Sequence, residues 1–308
     1  MKIKEKVKKL ITLFNKMQFE LAARNITSTP PIQYELDKNV KIVTMLKHSD
    51  INMYLIAIKS FMWHFGYGSV EVIDDGTLTQ EDTKLLQHHV PNISIYKADK
   101  IETLNCPAYI SWKRLFRIAD LATESYVIQL DADTISLAPL IDIHDKVQAN
   151  EGFLIGNDLW KQPVDVNFLH NIVKRWNHHH PQPKAEEIFK DIDFFKDGTK
   201  YLRGCAGFAG YPKHFATFNE IAYLSQQIEG RIGSLWHNWG SEQVESMCLI
   251  SKTKNASVLP WPKYQNYMYP QTNESTKISS FVHFIGSTRY SDRKYSQLVR
   301  EFLIKNKR

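Results

Sequence analysis

Between residues 40 and 130, short apolar segments typical of buried strands alternate with longer segments that have helical spacing. This alternation constrains the fold more than any other feature, because it predicts an α/β protein with a mostly parallel sheet and helices on both faces. Ligands of such sheets bind beyond the carboxyl ends of the strands, so the residues just after 46, 73 and 130 are the first candidates for a site. The predicted strands are 40–46, 69–73, 93–97 and 126–130, and the predicted helices are 51–65, 79–88 and 108–122.

The second half of the chain is less regular. The segment 177–200 is polar and contains proline, which predicts a loop or a flexible insertion. We predict one domain over residues 40–308, preceded by a helix and a linker over residues 1–30. Strands are expected near 151–156, 202–210 and 281–284, and helices near 213–228 and 241–250.

Residues 2–24 have apolar side chains at helical spacing with lysines between them, and six lysines fall within the first sixteen residues. Two interpretations stay open. The helix lies on an anionic membrane surface or against a partner, or it packs on the domain with its lysines in water. The sequence Ser-Thr-Pro-Pro at 28–31 ends the helix.

Composition excludes several classes of protein. Of the 308 residues, 43% are hydrophobic and 23% are charged, values typical of a soluble globular protein. The net charge of +6 comes in good part from the lysines near the start, so the remainder does not resemble a nucleic-acid-binding surface. No segment has the length and apolar character of a membrane span, and the start lacks the features of a signal peptide. The three widely spaced cysteines predict a cytoplasmic protein, free or peripheral on the inner face of a membrane.

The strongest local signal is Asp131-Ala132-Asp133, directly after the apolar segment YVIQL. Two carboxylates separated by one small residue at the end of a parallel strand are directed to the ligand-binding edge of the sheet. Carboxylate oxygens suit Mg²⁺ or Mn²⁺, which also keep positions for diphosphate oxygens and water. An isolated Asp-x-Asp is common, but its position after a strand favours a metal site over an acidic junction between strand and loop.

The run WKRLFRIADLATESYVIQLDADTISLAPL, which contains this motif, resembles the core of the nucleotide-sugar-dependent glycosyltransferases of the GT-A fold. It is most similar to family 8, which includes glycogenin and the bacterial lipopolysaccharide galactosyl- and glucosyltransferases. The resemblance covers about residues 40 to 295 and implies a single Rossmann-like domain with a mostly parallel central sheet. It implies that Asp131 and Asp133 bind a metal ion, that Ala132 lies between them in the donor site, and that Arg114 is a basic residue on the nucleotide side.

Two segments farther along the chain resemble other parts of the same family. The segment YLRGCAGFAGYP at 201–212 resembles the small-residue strand beside the donor-sugar pocket. The segment NWGSEQVESMCL at 238–249 has Gly-Ser-Glu-Gln where the family has the Asp-Gln-Asp start of a helix. The resemblance therefore implies catalytic roles for Glu242 and Gln243.

The segment FVHFIGSTRY at 281–290 resembles the carboxy-terminal His-x-x-Gly-x-x-Lys element of the family. The resemblance implies that His283 is the third metal ligand. It also implies that Gly286 lets the backbone approach the diphosphate and that Arg289 takes the place of the phosphate-binding lysine. Without the resemblance, His283 is still followed by glycine, hydroxyl and basic residues, a composition that favours phosphate, although a single histidine on an apolar strand is more often a core residue.

Polar residues after the first two strands are weaker candidates for a nucleotide pocket. Asp74 and Asp75 can accept hydrogen bonds from a base or from ribose hydroxyls, but Asp-Asp-Gly also favours a turn at the end of a strand. Thr44, at the end of the first strand, is a further candidate for lining the same pocket. The three consecutive histidines at 178–180 are interpreted as part of a solvated loop, because they cannot all face one ion.

The sequence therefore predicts a metal-dependent glycosyltransferase that moves a sugar from a nucleotide-diphosphate donor, UDP-linked, to a glycan, a lipid-linked acceptor or a protein. The resemblance to family 8 implies retention of anomeric configuration. One alternative is a nucleotidyltransferase, which would normally have a glycine-rich loop after the first strand, where this chain has VTMLKHSD. The other alternative is a catalytically inactive sugar-binding or scaffold protein.

Overall fold

The computed structural model describes residues 2–286 and 288–305, with side chains from residue 5 onward. Residue 1 of the predicted helix-and-linker segment and residues 287 and 306–308 of the predicted domain lie outside this description, as do the side chains of residues 2–4 in the predicted helix. The helices are α1 (Lys2–Ala23), α2 (Ile51–Phe65), α3 (Gln80–His89), α4 (Ile110–Leu121), α5 (Ile141–Ala149), α6 (Val166–Val173), α7 (Pro181–Ile188), α8 (Phe218–Ile232), α9 (Ser241–Ser251) and α10 (Lys294–Lys305). The strands are β1 (Glu35–Leu46), β2 (Tyr67–Asp74), β3 (Ser94–Lys97), β4 (Tyr126–Leu130), β5 (Thr134–Ser136), β6 (Phe153–Ile155), β7 (Cys205–Tyr211), β8 (Ser257–Val258), β9 (Tyr264–Asn266) and β10 (Phe281–His283).

Seven of these strands form a central sheet in the order β3-β2-β1-β4-β7-β6-β8. β1 pairs in parallel with both β2 and β4, β2 pairs in parallel with β3, and β6 pairs in parallel with β8. β7 is antiparallel to its two neighbours, β4 and β6. The predicted α/β fold with a mostly parallel central sheet is confirmed.

The middle strand β4 is buried along its whole length. Its side chains alternate between the faces of the sheet, as they must in a strand. Ile128 belongs to a core that includes residues of α2 and α10, whereas Val127 belongs to a second core that includes residues of α4, α8 and α9. Helices therefore cover both faces of the sheet, and the buried strand leads to an edge where polar residues can gather.

A smaller sheet of three strands, in the order β5-β10-β9, lies next to this edge. β10 is antiparallel to β5 and parallel to β9. Because β5 begins only four residues after β4 ends, the turn at 131–133 connects the two sheets. His283 is paired with Thr134 across β10 and β5, so the fold brings a residue from near the end of the chain beside this turn.

The first helix packs on the domain through its carboxy-terminal half. The ring of Phe19 lies 4.3 Å from that of Tyr295 and 5.5 Å from that of Tyr290, measured between ring centroids. Phe19, Ala22 and Ala23 belong to the same core as α2 and α10. Within the described part of the chain, no helix combines the length and apolar character needed to cross a membrane.

The interpretation of 177–200 as a loop or flexible insertion is wrong, because this segment contains α7. Pro181 occupies the first turn of the helix, where its missing N–H costs nothing, and Nδ1 of His180 accepts a hydrogen bond from the backbone N–H of Gln182 at 3.1 Å. The helix expected to begin near residue 213 begins at Phe218 instead. Thr217 and Glu220 form a capping box there.

Candidate active site

The turn that carries Asp131 and Asp133 is held by hydrogen bonds to both sheets. The backbone N–H of Asp131 donates to the carbonyl of Gly207 in β7 at 2.8 Å, and the carbonyl of Asp133 accepts from the N–H of Phe284 at 2.8 Å. The hydroxyl of Thr134 donates to the carbonyl of Asp131 at 2.9 Å. These bonds fix the directions of the two carboxylates without using the carboxylate oxygens themselves.

Asp131, Asp133 and His283 converge on one point. One ligand atom from each lies within 4.8 Å of the others, the arrangement of a site that could hold a metal ion. Nε2 of His283 lies 3.3 Å from a carboxylate oxygen of Asp133. The proposed ligands suit Mn²⁺ or Mg²⁺, because hard carboxylate oxygens dominate the set and a single imidazole completes it.

The orientation of the His283 ring is fixed on its far side. Nδ1 lies 2.8 Å from the amide oxygen of Asn266 in β9. Because an amide oxygen only accepts, Nδ1 carries the proton and Nε2 is the nitrogen that faces the carboxylates. Gly207 lies against the same ring, and a Cβ at this position would collide with it. The glycine of β7 therefore makes room for the histidine.

Two arginines hold the carboxylates from opposite sides. Arg114, on α4, has Nη1 2.7 Å from a carboxylate oxygen of Asp131 and Nη2 3.2 Å from one of Glu242. Arg289 forms an ion pair with Asp133 and also donates from Nε to the carbonyl of Phe284 at 3.2 Å. Both guanidiniums are shielded from solvent, which strengthens these charge-assisted hydrogen bonds.

The charges of this cluster are nearly balanced. Asp131, Asp133 and Glu242 supply three carboxylates, and Arg114 and Arg289 supply two cations. A protonated His283 would complete the balance when no metal ion is bound, and binding of a metal ion would release that proton.

The shifted pKa values follow from this arrangement. Burial alone would raise the pKa of Asp133, but the nearby His283, with Arg289, lowers it to about 2. Burial alone would lower the pKa of His283, but the charge of Asp133, with a contribution from Cys205, raises it well above its usual range. Burial raises the pKa of Glu242, and the charge of Arg114 opposes this. The cluster is thus a set of buried, mutually dependent charges, as expected of a functional site.

Glu242 and Gln243 lie in the first turn of α9, which begins after Gly240 in a left-handed conformation with φ of 100°. The side-chain oxygen of Gln243 accepts from Sγ of Cys205 at 3.3 Å and from the N–H of Ala206 at 3.4 Å. Gln243 therefore anchors the start of β7, and Glu242 supplies a second carboxylate to Arg114 beside that of Asp131. Glu242 thus joins the cluster through Arg114, and Gln243 is linked to it through Cys205, whose Sγ lies 3.6 Å from Nδ1 of His283. Catalytic roles for Glu242 and Gln243 stay a prediction.

The predicted nucleotide-side residues on β1 and β2 are engaged in local hydrogen bonds. One carboxylate oxygen of Asp74 accepts from the N–H groups of Gly76 at 2.8 Å and Leu78 at 3.2 Å, and Asp75 accepts from the N–H of Thr77 at 3.0 Å. These are the bonds of a strand-ending turn, the alternative interpretation of Asp-Asp-Gly.

Three further predicted site residues lie closer to the cluster. The hydroxyl of Thr44 donates to the carbonyl of Leu130 at 2.6 Å, directly before the Asp-x-Asp turn. Ala132 is buried between the two aspartates, and Gly286 is exposed beside Arg289. Nucleotide contact by these residues, and by Asp74 and Asp75, stays a prediction.

Sequence reasoning missed three residues of the cluster. Gln129 is a polar residue inside an otherwise apolar strand, a signal that could have identified it; its amide nitrogen lies 3.4 Å from Asp131 and its oxygen accepts from Tyr211 at 3.0 Å. Asn266 and Cys205 carry no such signal, because their neighbours along the chain do not form a motif. They become visible only when β7, β9 and β10 are brought together.

No protein-family model matches the chain, and no curated protein matches it. Solved structures do resemble it. The galactosyltransferase LgtC, in complex with donor and acceptor sugar analogs, is 12% identical, with a TM-score of 0.50 over 87% of this chain and 96% of that one.

Two other glycosyltransferases give lower scores. The bifunctional glycosyltransferase WbbM is 13% identical with a TM-score of 0.47, and GlyE from Streptococcus pneumoniae TIGR4 is 14% identical with a TM-score of 0.45. The matches cover 90% and 89% of this chain but 53% of WbbM and 64% of GlyE, so the chain spans about half the length of the former and under two thirds of the latter. The match to LgtC extends over nearly the whole of both chains, and together with the order of strands and helices it shows that the chain has the GT-A glycosyltransferase fold.

Proposed function

We propose that the protein transfers a sugar from a UDP-linked donor to a glycan, a lipid-linked acceptor or a protein, with Mn²⁺ or Mg²⁺ as cofactor. The observation that carries this proposal is the convergence of Asp131, Asp133 and His283 at the carboxyl end of β4. Its position at the ligand-binding edge of a GT-A sheet supports a role in binding the donor.

The residues present fit a divalent ion. Asp131 and Asp133 would supply oxygen ligands and His283 a nitrogen ligand whose direction Asn266 sets. When bound, such an ion supplies positive charge to the diphosphate leaving group as the bond to the sugar breaks.

The protein's own cations act on the same group. Arg289 lies next to the loop that contains Gly286, where a Cβ would be 3.8 Å from Nη2. The diphosphate can therefore approach the backbone and the guanidinium together. Arg114, on the other side of the cluster, holds Asp131 and Glu242 in fixed positions. Fixed cations of this kind stabilise developing negative charge without having to reorganise during the reaction.

Glu242 is the carboxylate best placed to orient hydroxyl groups of the transferred sugar. Gln243 accepts hydrogen bonds from the thiol of Cys205 and the backbone N–H of Ala206, in the segment that resembles the strand beside the donor-sugar pocket. The family resemblance implies that the reaction retains the anomeric configuration, and we adopt retention as part of the proposal. The configuration of the product, read by NMR, tests that part alone.

The decisive experiment measures UDP release from a panel of UDP-sugars by the purified protein, with Mn²⁺ and with EDTA. We expect release with at least one donor in Mn²⁺, little in EDTA, and none from the variant Asp133→Asn. The matched control is Asp120→Asn, an exposed aspartate that pairs with Arg117 on α4 and should retain full activity. Full turnover in EDTA or by Asp133→Asn would contradict the metal-dependent mechanism.

Two further measurements separate the alternatives. A nucleotidyltransferase would release pyrophosphate from a nucleoside triphosphate, yet the segment 47–50 after β1 contains no glycine to cradle a triphosphate. An inactive sugar-binding protein would be stabilised by UDP-sugars in a thermal shift assay without releasing UDP. Either result would replace the proposal of sugar transfer.

A further inference from the structure

Helix α1 has two different apolar faces, and only one of them packs on the domain. The packed face includes Asn15, Phe19, Ala22 and Ala23, each at most 4% exposed. The side-chain amide of Asn15 donates to the carbonyl of Tyr290 at 3.1 Å, which ties this face to the segment before α10. The domain thus determines which way the rest of the helix faces.

The second face, which we call the α1 stripe, is in solvent. Its six side chains recur three or four residues apart, and each is between 45% and 65% exposed. At about 100° per residue, the centre of the stripe lies roughly 130° around the helix axis from the packed face. The α1 stripe consists of Val7, Leu10, Ile11, Phe14, Met17 and Leu21.

The stripe continues onto the body of the domain. Tyr269 is 45% exposed and lines one surface groove together with Leu10, Ile11 and Phe14. The guanidinium of Arg293 lies 5.0 Å from the centre of the Phe14 ring. A contiguous apolar surface bordered by a tyrosine and a cation is unusual for a face that meets only water.

The helix that carries the stripe has a net positive charge. Between residues 5 and 24 the helix and its extension carry five cations, Lys6, Lys8, Lys9, Lys16 and Arg24, against the two acids Glu5 and Glu20. In the helical geometry, Lys6 lies along the edge of the stripe next to Met17, whereas Lys9 and Lys16 lie on the far side of the helix, where they pair with Glu5 and Glu20. The helix is therefore apolar along the stripe and carries an excess of positive charge on the rest of its surface.

We propose that the α1 stripe binds the surface of an anionic lipid bilayer. Its apolar side chains would enter the region between headgroups and acyl chains, where amphipathic helices lie, and the lysines would meet anionic headgroups. A tyrosine at the edge of such a surface suits the headgroup level. Pairing with a second copy is less favoured by charge, since it would bring two sets of lysines together. The inference does not depend on the proposed sugar transfer.

The test uses the full chain and vesicles of phosphatidylcholine with or without phosphatidylglycerol. Wild-type protein should sediment with the anionic vesicles, bind neutral vesicles much more weakly, and dissociate as salt is added. The variant Leu10→Gln/Phe14→Gln should bind anionic vesicles at least about tenfold more weakly for each substituted side chain. The reason is that burial of one such apolar side chain raises the binding constant by more than a factor of ten. The control Leu104→Gln/Ile141→Gln changes two side chains that are equally exposed elsewhere on the domain and should bind like wild type.

Thermal melts and hydrolysis of a soluble donor separate binding from folding. All three proteins should melt at similar temperatures, because the substituted side chains are exposed. Failure of wild-type protein to bind anionic vesicles at low salt would overturn the proposal. So would a concentration-dependent dimer that Leu10→Gln/Phe14→Gln abolishes, since the stripe would then be an interface between copies. Loss of donor hydrolysis in every protein would bear on the proposed function alone.

Discussion

The amide oxygen of Asn266 lies 2.8 Å from Nδ1 of His283, on the side of the ring that faces away from Asp133. Both residues are the last in their strands, β9 and β10, which pair in parallel with these two residues in register. The hydrogen bond therefore depends on the register of the small sheet. It determines which ring nitrogen is directed to the carboxylates.

Replacement of Asn266 with alanine should weaken Mn²⁺ binding about 10- to 100-fold, the usual effect of losing a partner behind a metal ligand. The reason is that His283 would then be free to rotate and to exchange its proton between the two nitrogens. Calorimetric titration with Mn²⁺ measures the effect. The exposed Asn39→Ala should leave Mn²⁺ affinity unchanged, and an unchanged affinity in Asn266→Ala would show that the hydrogen bond does not matter.

A methyl group at Gly207 should disrupt the same site from the opposite side. Gly207→Ala forces the His283 ring to move, because a Cβ there would collide with it. We expect a lower melting temperature and loss of Mn²⁺ binding together. Gly230→Ala is the matched control: it lies in α8 with no described atom within 4 Å of the added Cβ, and it should stabilise the helix by up to about 1 kcal/mol. Tight Mn²⁺ binding by Gly207→Ala would mean that His283 is not a ligand.

The central sheet could be predicted from the sequence because its strands carry continuous apolar segments. β4 is an example: YVIQL is buried throughout, and the Asp-x-Asp turn follows it directly. The small sheet could not be predicted, since β5 and β9 are three residues each and owe their pairing to contacts with β10. Helix α7 could not be predicted because its sequence is mostly polar. Its start depends on Pro181 in the first turn and on the His180 cap.

Part of the site could be predicted from the sequence because it lies in one local motif. Asp131 and Asp133 are adjacent in a motif, so their proximity is a local property. Asn266 interacts with the site through a hydrogen bond between distant segments, and local sequence contains no information about such a pair. Gln129 is only two residues from Asp131, and its polarity inside an apolar strand is a local signal. The position of Asp74 at the end of a strand predicts contact with a nucleotide. In the structure, however, one of its carboxylate oxygens accepts hydrogen bonds from the backbone of its own turn.

Helix α9 offers a direct comparison of two buried glutamates. Glu242 pairs with Arg114, whereas both carboxylate oxygens of Glu245 lack a hydrogen-bond partner among the described residues. Burial raises the pKa of Glu245 well above its usual range, which favours the neutral form of this side chain.

Glu242→Gln should lower kcat/KM for donor hydrolysis about tenfold or more. The substitution removes one of the two negative charges that pair with Arg114, the other being that of Asp131. Glu245→Gln should leave kcat/KM unchanged, since glutamine closely resembles a protonated glutamate in shape and hydrogen bonding. Steady-state kinetics of both variants measure the difference. Equal loss in the two variants would indicate that Glu242 contributes to packing rather than to the charges of the site.

The last prediction concerns stability in mild acid. His89 is fully buried at the end of α3, and its Nδ1 lies 3.0 Å from Nζ of Lys59, which donates to it. Burial, reinforced by the charge of Lys59, lowers the pKa of His89 from 6.5 to about 4. The native state therefore keeps this histidine neutral at pH values where the unfolded chain protonates it.

The direction of the pH effect follows from proton binding. Well above pH 6.5 neither state is protonated at this residue, so it adds no pH dependence there. As the pH falls from about 6.5 to about 4, the unfolded state binds a proton that the native state does not, and the free energy of unfolding falls by up to about 3 kcal/mol. Urea denaturation between pH 7 and pH 4.5 should show most of this loss in wild type and in His179→Gln, whose histidine is exposed. His89→Gln should lose less stability over the same range, and three parallel curves would show that His89 titrates normally in the folded protein.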